Sequence, residues 1–224
     1  MTPTRERRVW VLRRNGTTAL QAATSVAYQN NLYAGDEDFN IDDLWFYHEH
    51  NFNPAIDAIF QEFPGPYQID SWANVATYIA SNFARSPDFP DQHRRRLGRN
   101  FSNSSTERTG LIRFLETFRV SGAVARAHWS MLQSPDYPLI LNDRGGTAMY
   151  DPSRNANGYV IPLRRNLAAM LSRGPYDKPI LWLDGTWRIY LPARILSGED
   201  TRTLNAATWA QCRREVYAGS RDEL

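Results

Sequence analysis

Apolar residues recur along this chain at two periods, and the change from one to the other falls near Gly122. Upstream, Ile69, Trp72, Val75, Ala76, Ile79, Ala80 and Phe83 return every three or four positions. That spacing predicts a helix capped by Asp70 or Ser71 and closed at Ser86-Pro87. Asp42 to Gln61 reads as helix too, with Pro54 kinking it or starting a second helix behind Asn53 as N-cap. Glu107 to Val120 is a third helix, preceded by a polar surface loop over Asn100 to Thr109. Val9-Trp-Val-Leu12 is a strand closed by the turn pair Asn15-Gly16, and Thr18 to Tyr28 fits a short helix or a second strand. Downstream of Gly122 the pattern turns to β. Ala127 to Leu132, Leu139 to Leu141, Tyr159 to Leu163 and Leu167 to Leu171 are strands, and Asp151 to Gly158 is a polar loop. Ile180 to Leu183 and Thr186 to Tyr190 flank Asp184-Gly185, the dipeptide that a two-residue hairpin demands. Thr201 to Val216 closes the chain as a helix. The expected fold is one α+β domain over residues 1–224. Its helical N-terminal part packs against a small, mostly antiparallel sheet from the C-terminal part.

Composition narrows the class. A hydrophobic share of 42% with 12% aromatics supports a packed interior and excludes wholesale disorder. Seven Trp and eleven Tyr exceed what one small core needs, so some should line a groove, while Trp72, Trp182 and Trp187 sit in amphipathic patterns that assign them to the core. A net charge of +2 does not by itself argue for nucleic acid. Lys178 is the single lysine among 26 basic residues. A GC-rich coding sequence explains that bias; guanidinium forks also suit phosphate and carboxylate. One cysteine, Cys212, excludes a disulfide framework and a thiolate metal cluster. The charged stretch Met1 to Arg8 has no apolar signal core, no run approaches a membrane span, and the terminal Arg-Asp-Glu-Leu reads as coincidence, so cytoplasmic residence is expected. Phosphate loops, dinucleotide fingerprints and serine-hydrolase elbows are missing from the sequence.

Between Trp129 and Leu163 the segments Trp129-Ser-Met-Leu132, Leu139-Ile-Leu-Asn-Asp-Arg-Gly145 and Val160-Ile-Pro-Leu163 follow in order, with Arg85-Ser-Pro87 upstream. This succession resembles the bacterial family called domain of unknown function 4238. Nearly the whole chain follows that family's order of elements: Asn31-Leu-Tyr33 is similar to its Asn-Phe-Tyr landmark, and Glu49 falls where a family helix carries a glutamate. Arg85 matches its Arg-x-Pro arginine, and Asn142-Asp143 stands at its Ser-Asp-Asn-Pro motif, keeping the aspartate. The family's opening His-x-Val-Pro-x-x-Tyr-Leu motif has no counterpart in the sequence.

Asp143 leads the candidates for chemistry, as general base or charge stabiliser at a strand end beside Arg144-Gly145-Gly146; the same position also suits an Asx-type turn. Asn142 would orient water or substrate, and Glu49 either joins the site or pairs with a buried arginine such as Arg85. Arg85 and Arg144 would hold anionic groups, and Trp129, close in sequence to Asp143, is the aromatic assigned to the site. Phe52 stands where the second histidine of a His-Glu-x-x-His zinc motif belongs, His48 and His50 point apart if helical, and no metal or cofactor is expected. Arg94 to Arg96 form a solvated run. Two readings result. One is a hydrolase on a phosphate-bearing or nucleic-acid substrate, including cleavage of a nucleoside bond. The other is a non-catalytic module that binds protein or nucleic acid.

Overall fold

The computed structural model describes residues 8–22, 50–85, 106–151, 156–174, 177–219 and 221. The chain opens on a hairpin, β1 (Arg8–Arg13) and β2 (Thr18–Ala22), which settles the open choice after Thr18 in favour of strand. Helix α1 (Phe52–Glu62) follows, then β3 (Tyr67–Gln68), α2 (Ile69–Arg85) and α3 (Thr106–Arg126). Seven strands come next: β4 (His128–Gln133), β5 (Leu141–Asn142), β6 (Thr147–Asp151), β7 (Ala156–Arg164), β8 (Leu167–Ser172), β9 (Ile180–Leu183) and β10 (Thr186–Ile189). The last elements are β11 (Ala193–Ile195), α4 (Gly198–Gln211) and β12 (Glu215–Ala218).

The fold is α+β. Three sheets run in the orders β2-β1-β12-β5, β3-β10-β9 and β11-β4-β8-β7-β6, and every pairing is antiparallel except β11 on β4. The five-stranded sheet is the floor of the molecule. Trp129, Met131, Ile161, Leu167 and Ala169 point from it into one core with Ile56, Ile59, Val75, Ile79 and Ala80 of α1 and α2. Leu132, Val160 and Ala168 point the other way, onto Leu204 of α4. Alternate residues of each strand thus serve opposite faces. With both faces covered, β8 reads as an almost unbroken apolar run, Leu-Ala-Ala-Met-Leu. The N-terminal helices α1 and α2 cover one face of this sheet, and α4 covers the second.

Other expectations shift for local reasons. Helix α1 begins behind Asn51, whose side chain makes no capping bond, and Pro54 falls in its first turn, where a missing N–H costs nothing; residues 42–49 lie outside those described. Helix α3 starts at Thr106 and continues past Gly122 to Arg126, so the loop read over Asn100 to Thr109 ends earlier and the helix runs longer. Of the loop read at Asp151 to Gly158, the described residues are ladder, with Asp151 opposite Ala156 and Tyr150 opposite Asn157; residues 152–155 lie outside those described. The Asp184-Gly185 turn is as expected, both residues having positive φ (51° and 76°).

The final helix stops at Gln211 rather than continuing to Val216, and the residues after it form the strand β12. Its start is fixed by a capping box. The Ser197 hydroxyl accepts from Asp200 N at 3.1 Å, and the Asp200 carboxylate accepts from Ser197 N at 3.2 Å. The Ser197 hydroxyl, then the Ser197 backbone, hold the Asp200 carboxyl below its ordinary 3.8. A depressed acid contributes stability above its unfolded pKa and loses it as pH falls through the folded one. Ser197→Ala is expected to cost about 1 kcal/mol near neutral pH. Thermal melts should show that deficit shrinking in acid, as Asp200 protonates in both proteins.

Candidate functional site

The segment Asn142 to Gly146 joins β5 to β6, and its geometry starts from one buried amide. Asn142 is 1% exposed. Its Oδ1 accepts from the N–H groups of Arg144 (3.2 Å) and Gly146 (3.1 Å), and its Nδ2 donates to the Thr208 carbonyl of α4 (3.3 Å). Gly145 N closes the turn onto the Asn142 carbonyl, with Gly145 at φ +78°, a conformation that side chains resist. A Cβ on Gly146 would stand 2.7 Å from the Val160 carbonyl oxygen, so only glycine fits there. The Tyr159 hydroxyl donates to Gly146 O at 3.1 Å, and its ring meets that of Phe83 of α2 at a tilt, 5.1 Å between centres.

Asp143 is bound next to this knot. Its Oδ1 accepts from Arg213 N (2.9 Å) and its Oδ2 from Arg214 N (2.8 Å), while its own N–H donates to Glu215 O (3.2 Å). The carboxylate thereby supplies acceptors to two backbone donors exactly one residue apart, where α4 gives way to β12. The Asx-type turn open to Asp143 from its sequence position is made by Asn142 instead, and Asp143 holds backbone that is distant in sequence. Asp143→Asn leaves one acceptor and sets an amide N–H₂ against a backbone donor. We expect a loss of about 1–2 kcal/mol in chemical denaturation, discounted for the half-exposed setting. An unchanged midpoint would remove the aspartate from the architecture.

The other candidates separate. Asn142, Asp143 and Arg144 share the turn, with Arg144 exposed. The last turn of α2, which ends at Arg85, comes up against it: a Cβ on Gly145 would lie 3.2 Å from the Cβ of Asn82. The side chain of Arg85, and Glu49 altogether, lie outside the described residues, as does any pairing between them. Trp129 requires correction. It is 0% exposed, donates its indole N–H to Val124 O at 2.7 Å and meets Trp72 edge-on at 5.8 Å. It is a core residue of β4, in a different sheet from Asn142, and closeness in sequence did not become closeness in space. Among the described residues, no group of three His, Cys, Asp or Glu side chains could hold a metal ion. No described helix is long and apolar enough to cross a membrane.

What the sequence reading missed is a gathering of arginines. β1 and β12 pair antiparallel with Arg13 opposite Glu215, which brings the end of the first strand to the beginning of the last. Arg14 N donates to Arg214 O at 2.8 Å. Arg13, Arg14, Arg144, Arg213 and Arg214 are all exposed on the three segments that meet at Asp143 and Glu215. Arg14 is partly architectural: its Nη2 donates to Ala210 O (2.7 Å) and Cys212 O (2.9 Å), closing the C-terminus of α4, and its guanidinium lies 5.8 Å from the Trp209 ring centre. The Arg13 guanidinium approaches Glu215 at 3.5 Å, and the other Glu215 oxygen accepts from the Tyr217 hydroxyl. Burial, then Glu215, push the Tyr217 phenol far above its ordinary range, so it stays a neutral donor. Burial likewise raises the Cys212 thiol and keeps it unreactive.

Compared with known proteins, the chain matches no family model, no curated protein and no solved structure. The likeness to the family of unknown function 4238 stays a resemblance of motifs.

Proposed function

We propose that this protein binds a phosphate-bearing polymer, a nucleic acid in the first instance, through the arginine ridge around the Asn142–Gly146 turn, and that it binds without cleaving. The observation that carries the reading is that three distant segments, meeting through their backbones, bring five exposed arginines to neighbouring positions, with Asp143 and Glu215 as the acids beside them among the described residues. Planar guanidinium groups on a rigid rim suit phosphate oxygens. Both oxygens of Asp143 are engaged by backbone donors and the amide of Asn142 is spent inside the fold, which favours binding over the hydrolytic alternative. A contact surface of this kind reads backbone charge rather than base sequence. Titration of labelled single- and double-stranded DNA oligonucleotides should give binding that weakens steeply with salt and returns the probe intact. Product formation would reinstate a hydrolase, and no binding at low salt would end the proposal.

A further inference from the structure

The hairpin β9–β10 is built to be rigid yet carries its apolar side chains outside. Trp182 and Trp187, assigned to the core by their sequence pattern, are 58% and 54% exposed. Their rings meet edge-on at 4.9 Å across the strand pair. Ile180, Leu181, Leu183 and Tyr190 are exposed as well, so all four residues of β9 are apolar and open to solvent. The mounting beneath them is firm. Ile189 is buried in the main core, Arg188 bonds Glu62 Oε1 at 2.8 Å, and Lys178 Nζ donates to the carbonyls of Ala125 (2.7 Å) and Ala127 (2.9 Å). A fixed hairpin cannot fold its tryptophans inward, and their exposure is a property of the native surface.

β9 is also the edge of its sheet among the described residues. Tyr190 N donates to Pro179 O, which fixes the alternation of the ladder. Pro179, Leu181 and Leu183 turn their backbone groups toward β10, and Ile180 and Trp182 turn theirs outward. From Ile180 to Leu183 the edge carries no Lys, Pro or bulge, and such a stretch is a template for another strand. Lipid would leave those outward groups without partners, so a strand fits and a membrane does not.

We infer that β9 pairs antiparallel with β9 of a second copy, making a six-stranded sheet across a twofold axis. Because the axis stands perpendicular to the sheet, paired residues must share a face, and their numbers differ by an even count. The register that uses every outward group sets Ile180 opposite the partner's Trp182, and Trp182 opposite the partner's Ile180. Leu181 then meets its own copy on the axis. Apolar residues face apolar residues throughout. The strand bears no charge with which to select a foreign partner, so its best-defined complement is itself. The side chains of β9 that flank the shared edge, Ile180 to Leu183, pass from solvent into contact on pairing, Trp182 the largest of them.

Sedimentation of the full chain tests this. Wild type should run as a dimer at about 10 µM. Leu181→Lys and Leu181→Asp, each folded by far-UV circular dichroism, should each run as a monomer, because like charges would meet on the axis. Mixing the two variants in equal amounts at low salt should restore a dimer. A monomeric wild type overturns the proposal, also if it captures a foreign peptide strand or lipid vesicles, and so do variants that stay dimeric. Failure of the mixture to re-associate overturns the register.

Discussion

Asn142→Ala is expected to destabilise the protein by about 3–5 kcal/mol, the largest effect of any single substitution considered. The side chain is 1% exposed and makes three hydrogen bonds, two from the backbone of its own turn and one to α4. Alanine leaves the Gly146 N–H and the Thr208 carbonyl to find other partners under the Thr147 and Thr208 hydroxyls, which already bond each other at 2.7 Å. Each buried group left unsatisfied costs about 1–3 kcal/mol. For a chain of this size the melting temperature should fall by roughly 10 °C. Asn142→Asp keeps an acceptor for the turn but sets a carboxylate against the Thr208 carbonyl in a buried place, so it should fail as well. Differential scanning calorimetry of both variants checks the claim. Melting within a degree of wild type would mean that the turn is not held by this residue.

The second large effect concerns the ridge. Replacing Arg144, Arg213 and Arg214 together by alanine should weaken oligonucleotide binding on the order of 100-fold at low salt and reduce the salt slope by about 2–3. Stability should change little. What Asp143 grips are the backbone N–H groups of Arg213 and Arg214, which alanine retains. Arg14 is left in place because its guanidinium also closes α4. Fluorescence anisotropy at several salt concentrations, with circular dichroism as the folding control, separates loss of contact from loss of structure.

How much of this was legible in the sequence depends on how local each feature is. The α2 helix and the Asp184-Gly185 hairpin were readable because their patterns are complete within a few residues. The strand β12 was not. Val216 falls in step with the helix before it, and the partner that makes it a strand is β1, some two hundred positions away. With β12 read as helix, Arg13-Arg14 and Arg213-Arg214 were unrelated pairs, and the ridge could not be seen. Asp143 was singled out correctly as a strand-end acid in a Gly-rich turn, and its sequence position admitted a turn-forming role as readily as a chemical one. Only the two N–H groups of Arg213 and Arg214 on its oxygens decide how it is engaged. Trp129 and the Trp182–Trp187 pair exchanged places. Alternation tells which residues share a face, not which face another layer covers. β4 lies inside a covered five-stranded sheet, and β9 lies at an open edge.

The ridge is tested most directly by the salt dependence of binding to a labelled oligonucleotide, wild type beside the triple alanine variant. A plot of log affinity against log salt should be steep for the wild type, shallower for the variant, with the probe recovered uncut. Equal slopes for the two proteins, or affinity that ignores salt, would contradict it.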